Sequence, residues 1–132
     1  MSAFGMASLV TAGDVDTPLP SDVNMLTPDP SIGKIAECSG IWKGAYESGR
    51  PVTIVLENID PQQVIAIYSY GSQGGDKPGW RRVTGHIKDD STIVLEWLNV
   101  KLTLNLVGAT IKAEWNKGGN VLRATLHKQS SP

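Results

Sequence analysis

The chain has 132 residues, with 12 Lys and Arg against 13 Asp and Glu and a net charge of −1. That length suits one domain, and near-neutrality leaves no electrostatic footprint for nucleic acid or an anionic membrane. No apolar run approaches the roughly 20 residues of a spanning helix. One cysteine, Cys38, excludes an internal disulfide, and no His/Cys cluster has zinc spacing, so no cofactor is expected and packing alone must hold the fold.

The apolar stretch at residues 4–13, FGMASLVTAG, has no Lys or Arg before it. It is therefore not read as a secretory signal. The lone thiol slightly favours the cytoplasm without excluding export. Pro18, Pro20, Pro28 and Pro30 then sit among Asp, Ser and Thr with no period of 2 or 3.6. Such a stretch buries too little apolar surface to offset its ordering entropy. Residues 1–35 are read as an extended, poorly structured arm and residues 36–132 as the folded domain. Val23, Met25 and Leu26 offer the arm a way to dock onto that domain or onto a second copy, as in a homodimer.

From Ala36 onward, short runs alternate apolar and polar residues between turn signals. Strands are predicted at Ile41–Tyr46, Val52–Asn58, Val64–Tyr70, Trp80–Ile87, Thr92–Trp97, Val100–Val107, Thr110–Trp115 and Val121–His127. Val, Ile, Thr, Tyr and Trp dominate them. Nearly every connection is short, which demands antiparallel neighbours. Only Gly71–Gly79 is longer. A meander this long leaves two open edges unless it closes on itself. The predicted fold is an all-β, eight-stranded antiparallel up-and-down barrel.

The alternation assigns the faces. Val52, Ile54 and Leu56 point inward, as do Val100, Leu102, Leu104 and Leu106. Ile111, Ala113 and Trp115 follow, then Leu122, Ala124 and Leu126. In the fourth run Val83 and Ile87 are placed inside with Arg81 and Gly85 on their side, because burying Arg82 unpaired would be costly. Gly44, Ala66, Ala113 and Ala124 are small enough to leave interior space.

Gly40-Ile41-Trp42 opens the first strand and Arg123 lies in the last. This layout resembles the calycin pattern of lipocalins, avidins and fatty-acid-binding proteins. The resemblance implies that Gly40 permits close approach, that Trp42 plugs one barrel end, and that the Arg123 guanidinium stacks on its indole. The biotin-contacting residues of avidins find no position-by-position match, so biotin binding is not implied. The layout is also similar to small lipocalin-like barrels found alone or beside bacterial hydrolase domains, which points to a bacterial source.

The aromatic residues suggest the chemistry. Tyr46, Tyr68, Tyr70, Trp80, Trp97 and Trp115 all fall near strand ends. An apolar body with a polar tip suits either a ligand mouth or a barrel cap. The expected function is non-enzymatic binding of a small, largely apolar molecule in the mouth beside Gly71–Gly79. The alternative is an accessory or interaction domain with a filled interior, associating through its arm or strand faces. An enzyme would have to use His86 and Glu96 with Arg82, and a surface cross-strand pair explains the first two more simply. His127 is expected in solvent. Gly74-Gly75 and Gly118-Gly119 are turn glycines, since no helix follows them to make a phosphate loop.

Overall fold

The structure, a computed structural model, describes residues 17–129. The apolar stretch at residues 4–13 lies outside them. Eight strands run β1 Gly40–Tyr46, β2 Pro51–Ile59, β3 Val64–Tyr70, β4 Gly79–Asp89, β5 Thr92–Trp97, β6 Val100–Val107, β7 Thr110–Lys117 and β8 Asn120–Lys128. Each pairs antiparallel with the next, and β8 pairs with β1 to close the barrel. The expected fold class is borne out, with strand ends moved by a few residues at most.

Inward faces follow the alternation. Ile54, Leu56, Ala66, Val83, Ile93, Leu95, Leu102, Leu104, Ile111, Ala113, Ala124 and Leu126 form one core through the middle of the barrel. The small alanines are packed within that core. A register shift between Leu56 and Asn58 puts a bulge in β2. It lets Leu56 and Ile59, three residues apart, both reach the interior, and it sets Glu57 on the outer wall.

Two inward glycines allow the sheet to curl. A β-carbon on Gly44 would run into the Thr125 carbonyl, and one on Gly85 into the Val94 carbonyl. Removing the side chain at such points is how a sheet turns tightly enough to close.

The arm reading ended at residue 35, but the structure carries order further back. Pro30–Cys38 winds as 3-10 turns broken at Gly33 (φ 83°), with Asp29 accepting from the Ser31 amide at 2.9 Å to start them. Pro30 costs nothing at that position because its missing N–H would be unpaired there anyway. Ile35 and Cys38 are buried in the core at the end of the barrel where β1 begins. What composition marked as arm therefore supplies the floor.

Residues 17–29 lie along the outside of β2, β3 and β4. Thr17 and Thr53 share a hydroxyl–hydroxyl bond of 3.0 Å, and Ser69 Oγ donates to the Pro18 carbonyl at 2.6 Å. The Leu26 amide donates to the Glu57 carbonyl, and the Asn24 amide to Glu57 Oε2, each at 2.8 Å. Glu57, only 4% exposed, also receives Arg82 through Nε at 2.9 Å and Nη2 at 3.2 Å, while Asp22 takes a second bond from Nη2. The outward-facing Val55 and Ile67, paired in the ladder, are buried in this region. Met25 and Leu26 stay exposed.

Glu57 is thus the clasp of the arm. Glu57→Ala should strip two of its anchors, the Asn24 amide and the Arg82 guanidinium. Cleavage within residues 17–29 is then expected at protease levels that leave the parent intact. Light scattering of the same variant reads whether a freed arm changes the mass in solution.

Candidate ligand-binding mouth

One end of the barrel collects the hairpins β1–β2, β5–β6 and β7–β8 and the longer β3–β4 loop. Inward positions there are large and aromatic. Tyr46 ends β1, Tyr68 and Tyr70 end β3, Trp97 ends β5, and Trp115 approaches the end of β7. Tyr68 and Trp97 rings stand 4.9 Å apart, and Tyr68 and Tyr70 are 5.8 Å apart, all tilted. These centroid separations fall within the range of attractive aromatic pairs.

Two adjoining hollows share Tyr68, Tyr70 and Trp115. The larger, about 360 Å³, adds Arg81, Trp97, Leu98, Asn99, Val100 and Lys117. The smaller, about 180 Å³, adds Tyr46, Arg50 and Leu122. Tyr46 and Tyr68 border this second hollow with their hydroxyls 2.7 Å apart. Burial pushes both phenols up from their usual range, Tyr46 the further, so both are protonated at neutral pH. Two hydroxyls share one bond, and one proton satisfies it. The other proton has no acceptor among the described residues, although Tyr46 is only 3% and Tyr68 7% exposed. That donor is left to whatever occupies the hollow, water or a ligand.

Arg50 is held in place. Its Nε donates to the Gly71 carbonyl at 2.7 Å, its guanidinium lies 5.0 Å from the Tyr70 ring centre, and Asp76 approaches at 3.5 Å. Leu98, in the two-residue turn between β5 and β6, has φ 49° and is 85% exposed. A leucine in the left-handed region pays a backbone cost that asparagine or glycine would largely avoid.

Five of the six expected mouth residues come together here: Tyr46, Tyr68, Tyr70, Trp97 and Trp115. Trp80 does not. It sits opposite Ser69 on the outer wall, is 41% exposed, and has the Arg82 guanidinium 5.9 Å from its ring centre. Alternation settles this. With Val83 inside, Arg81 must be inside and Trp80 outside. Arg81 is therefore legible from parity as a mouth residue, whereas the aromatic beside it is not. Arg50 carries no pattern signal, since it sits at a turn, whereas Lys117 ends β7 on the parity of Ile111, Ala113 and Trp115.

The opposite end also departs from expectation. Trp42 is buried there, 2% exposed, and its Nε1 donates to the Cys38 carbonyl at 2.8 Å. Arg123 is not its neighbour. Register puts Lys128 directly across from Trp42 and Ala124 across from Tyr46, so Arg123 lies near the mouth end. Roughly 17 Å of strand separates the two positions. Arg123 points outward and pairs with Glu114 at 3.3 Å. Lys128 takes the expected role. Its Nζ stands 5.8 Å from the Trp42 ring centre and donates to the Glu37 carbonyl at 2.9 Å. Gly40, at φ 135°, makes room for the Lys128 stem. Burial pushes the neighbouring Cys38 thiol up to about 11 despite the nearby Lys128 charge.

His86 and Glu96 are both exposed on the outer wall, with Thr84 rather than His86 directly across from Glu96. They share no cleft. Among the described residues no group of three or more His, Cys, Asp and Glu is placed to hold a metal ion, and no helix is long and apolar enough to cross a membrane. Known protein-family models and curated proteins give no match to this sequence.

Proposed function

We propose that the chain is a calycin-like, non-enzymatic binding protein that takes a small, largely apolar molecule into its aromatic mouth. The supporting observation is convergence: β1, β3, β5 and β7 each carry an inward aromatic residue at or near their ends around one pair of hollows. The middle of the barrel is packed, so the ligand rests in the mouth and does not run down the axis. Faces of Trp97 and Trp115 supply apolar area, and the spare Tyr46/Tyr68 proton supplies one directional contact.

Leu98 fits this reading, because an exposed leucine in a costly backbone region lies at the lip of the larger hollow. Leu98→Asn should stabilise the free protein by about 0.5–1 kcal/mol and weaken binding of short alkanols and phenols. Tryptophan fluorescence reads the binding, with Trp80→Phe removing the outer-wall signal. A panel that produces no saturable change in Trp97 or Trp115 emission would end the proposal.

A second reading, an accessory domain with a filled interior, draws on the packed core and the docked arm. A changed mass for the Glu57→Ala variant would favour it.

A further inference from the structure

Resting on the ligand-mouth reading, we infer that the mouth selects an anion: a flat, aromatic-sized molecule bearing a carboxylate or similar group. The larger hollow is lined by two cations, Arg81 and Lys117, and by no carboxylate; the smaller adds Arg50 and again no carboxylate. In a chain with net charge −1 this is a local excess of one sign.

The three cations differ in what already occupies them. Arg50 spends its charge on Gly71, Asp76 and the Tyr70 face. The side chains of Arg81 and Lys117 make no hydrogen bond or ion pair with any described residue. Elsewhere on the barrel Arg82 and Arg123 each have a carboxylate partner. Arg81 is also the inward exception on β4, sharing the face of Val83. Its side chain is exposed at the rim of the larger hollow, where no carboxylate among the described residues neutralises it.

An anion between these groups completes the arrangement. Its ring lies on Trp97 and Trp115, its charged head meets Arg81 and Lys117 at the lip, and aromatic walls reduce the water screening that weakens exposed ion pairs. A neutral ligand of the same shape would use the walls and leave both cations unspent.

The test uses the full chain with 2-naphthoate and its uncharged partner 2-naphthamide, followed by the indole N–H signals of Trp97 and Trp115 in two-dimensional NMR. The Trp42 indole N–H, bonded to Cys38 at the other end, is the internal control. Naphthoate should bind about tenfold tighter than the amide, the ratio expected of one charge-assisted contact. Arg81→Gln with Lys117→Gln should bring that ratio to about one, with the Trp42 signal unchanged. Equal binding of both compounds to the parent overturns charge selection while leaving the mouth as an apolar site. No shift of Trp97 or Trp115 with either compound overturns both readings.

Discussion

Replacing Gly85 with valine should destabilise the barrel by about 3 kcal/mol or more, at the upper end of what overpacking costs. The reason is what the new atoms would meet. A β-carbon there overlaps the Val94 carbonyl and crowds the Leu95 Cα, and neither can swing aside as a side-chain tip would. Relief requires β4 and β5 to part, with loss of ladder bonds on both sides of the position. Gly44→Ala should behave alike, since its β-carbon meets the Thr125 carbonyl in the β1–β8 pairing. Gly75→Ala is the matched control, with open space around it and no unusual backbone angle. Urea midpoints followed by tryptophan fluorescence measure all three. A Gly85→Val midpoint within error of Gly75→Ala would refute this account of curvature.

Trp42→Ala should cost about 3–5 kcal/mol, the range for truncating a large buried aromatic. That is a large part of the roughly 5–15 kcal/mol that holds a domain together. The loss has two parts. The indole fills the floor beside Ile35 and Cys38, and its N–H satisfies the Cys38 carbonyl. Trp42→Phe keeps most of the apolar body and drops the donor, so about 1–3 kcal/mol is expected. Cys38 reports on the same place. Its thiol is buried and its pKa is about 11, so little reactive thiolate exists in the folded protein. Trp42→Ala should speed its reaction with a disulfide reagent well beyond the parent's rate in native buffer. An unchanged rate would mean that the indole does not shield that end.

Much of this architecture could be read from residue order, and the failures share a cause. β6, β7 and β8 alternate cleanly because one face meets the core and the other meets solvent. Their inward sets were legible residue by residue. β2 and β3 read differently. Thr53, Val55 and Ile67 are outward yet buried, because residues 17–26 lie along that wall. Apolar residues on both faces of two adjacent strands were a visible sign of a cover. The arm's prolines and acids gave no sign of being that cover, since it is held mainly by backbone and hydroxyl bonds that have no hydrophobic period. Trp80 was misplaced by reading aromatic character ahead of parity. Arg123 was misplaced because a motif gives residue types without register. Which residue lies across from Trp42 depends on strand offset, and that offset put Lys128 there.

Seven of the eight strand pairings join neighbours in the chain, while the eighth joins Trp42 to Lys128 and Tyr46 to Ala124. The cost of long-range ordering in this topology is concentrated in that one junction. Until it forms, β1 and β8 are open edges able to pair with other molecules. At one end of that junction Lys128 reaches across, donating to the Glu37 carbonyl with its Nζ 5.8 Å from the Trp42 ring centre. Lys128 thus ties the last strand to the turns that precede the first, and weakening that tie leaves every hairpin intact while loosening the one seam whose opening would expose two unpaired strand edges.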